Sequence, residues 1–245
     1  ETSSATYAYD FYPDQFTFNA GGLNGKFVLD YTDGQPLIQS YGDITITYTT
    51  VTGYGIGAFE MRDAQGNTYY FGKSKNGQRT ARDYQQSTGL SVDYMNIQNL
   101  DPLSSDSDQF YSAWKLMDIE TAEGELISFY YEMDSAAAVY WKKTLDKHIP
   151  TSGSTTGMAG MGDITNIITK VSRIQNYEHQ ISKIEFNNGR DRIEFIKEPN
   201  KRDDFVGHAL DKIEVYHKNQ LVKGYNLDYE YTHSTDTSNM LSYFT

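Results

Sequence analysis

The sequence predicts an all-β fold: antiparallel β-hairpins in a meander, bent into a strongly curled sheet or open half-barrel. Three observations carry that expectation. One hairpin pattern is written repeatedly, as W-K-L-M-D-I-E-T-A-E-G-E-L-I-S-F-Y-Y-E from Trp114 to Glu132, I-S-K-I-E-F-N-N-G-R-D-R-I-E-F from Ile181 to Phe195, and L-D-K-I-E-V-Y-H-K-N-Q-L-V-K-G-Y-N-L-D-Y-E-Y from Leu210 to Tyr231. A looser copy, F-E-M-R-D-A-Q-G-N-T-Y-Y-F-G, runs from Phe59 to Gly72. Each copy is an alternating segment, a Gly or Asn turn, and a second alternating segment. Strict alternation in D-I-T-I-T-Y-T-T-V, Asp43 to Val51, puts Ile44, Ile46 and Tyr48 on one face and threonines on the other. Finally, 14% of residues are aromatic, with 21 tyrosines; such rings pack across strands while the hydroxyl stays wet.

Taken in order, Tyr7 to Leu29 opens with a hairpin. Phe16 and Phe18, then Phe27 and Leu29, alternate with polar residues around a turn rich in Gly21, Gly22, Asn24 and Gly25. Pro36 precedes the apolar pair Leu37 and Ile38. Residues 73–108 are polar and read as a long loop holding at most one short strand. Residues 150–163, beginning P-T-S-G-S-T-T-G, have the composition of a flexible loop. In Ser135 to His148 the alanines favour helix, while Val139, Tyr140 and Trp141 favour strand; the reading leans to strand. Alternation resumes beyond both loops, so residues 1–245 are read as one all-β domain, a fragment of a longer chain. The expected inward set is Ile44, Ile46, Phe59, Tyr69, Phe71, Leu116, Ile119, Ile127, Phe129, Ile184, Phe186, Ile193, Phe195, Ile213, Val215, Leu221, Tyr225 and Leu227.

Composition limits the function classes. A formal charge of −12 argues against nucleic acid, whose phosphates need a basic surface. No segment approaches the roughly 20 apolar residues of a membrane-spanning helix. The absence of cysteine removes disulfides, thiolate metal sites and cysteine nucleophiles. The start at Glu1 reads equally as a trimmed leader or a cut end.

The hairpin pattern, with P-D-Q-F-T-F-N-A-G-G-L-N-G-K-F at Pro13 to Phe27, S-A-W-K-L-M-D-I-E at Ser112 to Glu120 and L-D-K-I-E-V-Y followed by Y-N-L-D-Y-E-Y, resembles the RHS/YD-repeat-related proteins of Bacteroidetes. The resemblance spans most of the chain, with the two loop regions as gaps. It implies a large secreted or surface-displayed protein whose hairpins wind into a curled sheet or shell, in some members ahead of an effector. The chain lacks the repeated Y-D-x-x-G-R-L core; Tyr9-Asp10 is a fragment of it. It is therefore similar to an N-terminal section of such proteins.

Gly72-Lys73-Ser74 after Gly66 imitates a phosphate loop, but five residues intervene where four are needed and a strand precedes it, so a turn is the plainer reading. His148, His179, His208, His217 and His233 fall in no metal-binding spacing. Gly153-Ser154-Thr155-Thr156-Gly157 lacks the rigid elbow of a catalytic serine. Asp106 with Asp108, and Asp30 with Asp33, supply calcium-type oxygens without the full loop register, and read as acidic turns. No cofactor is expected. Tyr69 with Tyr70, and Tyr140 with Trp141, are neighbours on strands, so each pair projects one ring to each face; exposed rings would stack on sugars, and buried ones would pair across strands.

The leading expectation is a non-catalytic structural scaffold of a secreted or cell-surface bacterial protein, serving presentation, encapsulation or adhesion. Its partners would be the rest of its own chain, and glycans or other surface proteins. A carbohydrate-binding module comes second and a glycan-active enzyme third.

Overall fold

The computed structural model describes residues 14–39, 42–93, 101–133, 138–147, 167–201 and 207–230. In chain order the strands are β1 (Gln15–Ala20), β2 (Leu23–Leu29), β3 (Pro36–Ile38), β4 (Thr45–Val51), β5 (Gly55–Arg62), β6 (Thr68–Phe71), β7 (Arg82–Asp93) and β8 (Asp101–Trp114). They continue with β9 (Leu116–Glu120), β10 (Leu126–Met133), β11 (Ala138–Lys147), β12 (Ile167–Tyr177), β13 (His179–Phe186), β14 (Asp191–Lys201), β15 (His208–His217) and β16 (Gln220–Asn226). The described residues form an all-β fold with every pairing antiparallel.

The four written copies of the hairpin are β5–β6, β9–β10, β13–β14 and β15–β16. With β4 they make one nine-stranded sheet in the order β16-β15-β14-β13-β10-β9-β6-β5-β4. Two long hairpins leave this platform, β7–β8 after the first copy and β11–β12 after the second, and they pair with each other as β11-β12-β7-β8. The meander is thus interrupted twice. Residues 73–108, expected as a loop with at most one short strand, instead hold all of β7 and the first half of β8, because backbone ladders from β12 to β7 and from β7 to β8 hold strands of mostly polar sequence. The 135–148 segment is strand over its described part, β11. Residues 150–163 lie outside the described residues. Among the described residues all three sheets are open, and none is strongly curled.

Turn chemistry explains the repetition. In the first two copies Asp63 and Thr121 hold equivalent places: the Gly66 and Gly124 amides donate to their carbonyls at 3.1 and 2.9 Å. Their side-chain oxygens accept from the Asn67 and Glu125 amides at 2.9 and 3.1 Å. Gly66 and Gly124 take φ of 91° and 85°, which only glycine adopts without strain. The last copy turns on Lys218 and Asn219, both at positive φ as a two-residue hairpin requires.

Alternation sorts the nine-stranded sheet into two faces. Paired rows Ile46–Met61–Tyr69–Ile119–Ile127 and Phe129–Ile184–Ile193–Val215 form an apolar face. On the other face Tyr130 lies between the Arg79 and Lys183 cations, Lys183 pairs with Glu185, and Arg192 covers the Tyr216 ring. β1–β3 cover the β4–β6 end of the apolar face as far as Ile119 on β9, and the core sits there: Phe18, Leu23 and Phe27 meet Ile46, Phe59, Met61, Tyr69 and Phe71. Of the expected inward set, Ile46, Phe59, Tyr69 and Phe71 are buried. Ile184, Phe186, Ile193, Phe195, Ile213 and Val215 are only half-buried, and Leu221 and Tyr225 on β16 are exposed, a correction with a simple cause: among the described residues no second layer covers the sheet beyond β10.

Candidate functional site

The uncovered part of the apolar face forms a groove of about 1700 Å³ beside β1. Its first wall is β1. Gly21 and Gly22, at φ of 56° and 94°, close a two-residue turn, so Ala20 and Leu23 exchange hydrogen bonds and the pattern alternates from there. Phe16 and Phe18 bond to β2, while Gln15, Thr17 and Asn19 turn their N–H and C=O groups away from it. The register is corroborated on β2, where the Lys26 carbonyl, opposite Thr17, points to the far side and accepts the Gln39 amide at 2.8 Å. β1 ends its sheet, so among the described residues its outer groups have no strand partner.

The second wall is the end of β8. Tyr54 and Tyr111 stack there at 5.0 Å, and the Trp114 indole donates to the Ile56 carbonyl at 3.0 Å. Phe16 reaches across to Trp114, ring centres 5.9 Å apart, and closes the inner end. Leu116, Phe129, Tyr131 and Ile181 form the floor. At the mouth Tyr31 is fully exposed and Phe110 is 44% exposed. Asp14 and Asp30 are its acidic residues, and the lysine in its lining, Lys115, is held by Asp83 at 2.7 Å.

Two buried carboxylates brace the surroundings. Asp118 accepts from Arg79 at 2.6 Å, Ser128 at 2.7 Å and the Lys75 amide at 2.8 Å. Asp83 accepts the His179 amide at 2.7 Å as well as Lys115. Burial pushes the Asp83 carboxyl up, but the hydrogen bonds from His179 and Lys115 outweigh it and hold the group below its ordinary value. Tyr131 donates to the Leu116 carbonyl at 2.9 Å; burial first, and the nearby Asp83 charge second, push its hydroxyl up to about 12. These groups are saturated by protein partners and read as braces.

The residues singled out in the sequence fall elsewhere. Tyr69 is 4% exposed, under the β1–β2 turn, with its hydroxyl 3.2 Å from Asp63. Tyr70 lies on the opposite face as expected, donating to Glu120 at 3.3 Å; burial, then Glu60 and Glu120, push it up to about 12. Tyr140 and Trp141 are opposite Ile174 and Arg173 in the β11–β12 pairing, and their side chains lie outside the described residues. Gly72-Lys73-Ser74 enters a closed loop in which the Ser74 hydroxyl accepts the Arg79 amide. Asp30 and Asp33 cap the turn after β2 through the Thr32 and Gln35 amides. Asp106 and Asp108 lie in β8. His217 pairs with Asp191, and His179 approaches Asp83 at 3.4 Å. His148, His233 and Gly153–Gly157 lie outside the described residues. Among the described residues no three His, Asp or Glu converge as a metal site, and no helix is long and apolar enough to cross a membrane. Sequence reading missed the groove. Its one signal was the F-x-F alternation of β1 without a second apolar layer long enough to match the hairpin copies.

No family model, no curated protein and no solved structure matches the chain.

Proposed function

We propose that the chain is a non-catalytic structural scaffold, a section of a secreted or cell-surface bacterial protein of RHS/YD-repeat type. One observation supports this most: all four written hairpin copies lie edge to edge in one sheet, so the repetition is spent on building a surface. The tyrosines of that sheet are consumed in the same work, with Tyr69, Tyr70, Tyr130 and Tyr216 tied to carboxylates of the sheet and its turns. In a longer polypeptide, further hairpins would extend the platform at β16 and impose the RHS-like curl. Secretion or surface display, and association with the rest of its own chain, rest on the sequence resemblance.

Electron microscopy of the intact gene product tests the reading. A continuous β-wall carrying this segment is expected. A free-standing domain on a flexible tether, with glycan-array binding lost on Trp141→Ala, would instead favour the carbohydrate-binding module.

A further inference from the structure

We propose that the groove beside β1 binds an extended polypeptide segment of a separate chain, which adds as a fourth strand to the β1–β3 sheet. The inference goes beyond the scaffold reading and does not rest on it. Three features on different elements converge. Gln15, Thr17 and Asn19 present outward N–H and C=O groups in the spacing of a strand, and main-chain bonds to such an edge are what give strand addition its affinity. β1 carries no charge and no proline, the devices that usually blunt an exposed edge.

The floor supplies the second feature. The apolar rows of the nine-stranded sheet continue past the cover of β1–β3 onto Phe129, Tyr131 and Ile181, which stay half-buried. A strand beside β1 continues the existing layer over these residues and lays every second side chain on them. That geometry demands a ligand with apolar residues at alternate positions; a compact small molecule would leave the β1 edge unused. Charge supplies the third feature. Asp14 and Asp30 lie at the groove, Lys115 is neutralised by Asp83, and the chain carries −12 overall. The outward residues of the incoming strand are therefore basic.

The test uses the whole chain and fluorescein-labelled peptides of about eight residues alternating valine with lysine, the length of an ordinary strand. Fluorescence anisotropy is expected to show saturable binding. A scrambled peptide of equal composition, and one N-methylated at the amides facing β1, should each bind at least about tenfold more weakly, since each loses several edge hydrogen bonds or the alternation. Thr17→Pro removes one outward N–H without touching the β1–β2 ladder, and should weaken binding while circular dichroism stays unchanged. Should that variant misfold, the N-methylated peptide decides the matter on the unaltered protein. Equal binding of all three peptides overturns the proposal, as does absence of binding by the alternating peptide. A protein dimer that blocks the peptide until it dissociates also overturns it, by giving the groove to a second copy.

Discussion

Arg79 Nη2 lies 2.6 Å from Asp118 Oδ1, and this pair fastens the loop between β6 and β7 to the platform at β9. Arg79 also reaches the Phe129 carbonyl on β10 at 2.5 Å and covers the Tyr130 ring. One cation thus locks the entry to the first excursion onto two strands of the second hairpin copy.

Asp118→Ala should therefore destabilise the fold by about 2–3 kcal/mol, since it takes the carboxylate from a half-buried guanidinium and orphans the Ser128 hydroxyl and the Lys75 amide. Urea unfolding measures it. The double variant with Arg79→Ala should fall short of the sum of the singles by about 1–3 kcal/mol; strict additivity would deny the coupling.

Acid should find Asp83. Its folded carboxyl is held below the ordinary aspartate value, so it contributes stability above that value and loses it as pH falls through the lower, folded one. Asp83→Asn should lower stability at neutral pH and flatten its decline below about pH 4. A decline as steep as the parent's would assign the acid response to other groups.

Alkali should find Tyr131. Its folded value of about 12 lies above the ordinary tyrosine value, so its contribution is complete below the ordinary value and is lost as pH rises toward 12. Tyr131→Phe, which also forgoes the bond to the Leu116 carbonyl, should cost about 1 kcal/mol at neutral pH and reduce the alkaline loss. Tyrosinate absorbance in the folded protein should show delayed ionisation of this residue and of Tyr70.

Gly72 stands where β6 ends, at φ 77°, its amide bonded to the Lys115 carbonyl and its carbonyl to the Ala81 amide. A Cβ there would sit 2.7 Å from Trp114 and 2.8 Å from the Gly57 carbonyl. Gly72→Ala should cost about 2–4 kcal/mol by thermal denaturation, combining backbone strain with overpacking. Gly57→Ala should cost less, because Gly57 has no positive φ and only overpacking against Val51 Cγ2, 2.5 Å from the added Cβ, opposes the change.

The hairpin copies were legible because each alternates against a buried face and turns on Gly or Asn. Ile46, Phe59, Tyr69 and Phe71 fell inside for that reason. The excursions were not legible. β7 begins R-D-Y-Q-Q-S-T, with no apolar period, and its partners are a ladder, the Tyr84–Tyr177 stack at 4.2 Å and the Gln85–Asn176 bond. Period-two hydrophobicity marks an apolar face, and Arg82–Ser87 show none, since the buried side chain there is Asp83, held by Lys115 and His179. Asp118 and Ser128 escaped notice for a related reason: a buried polar pair looks like a solvated face until Arg79 arrives from another segment. The opposite projection of Tyr69 and Tyr70 could be read from the strand alone. Which ring would be covered depended on where β1–β3 fold back, and alternation does not encode that.

The pairing of the two excursions with each other, where they interrupt a platform of repeated hairpins, carries the architecture, and a disulfide tests it directly. The chain has no cysteine, so an engineered pair reports without competition. Ser87 on β7 faces Ile174 on β12 across the ladder, within reach of a bridge. Ser87→Cys with Ile174→Cys should oxidise readily to a monomer of altered mobility, while Ser87→Cys with Gln175→Cys, whose second thiol projects from the other face, should not. Equal oxidation of both pairs, or of neither, would contradict the four-stranded sheet.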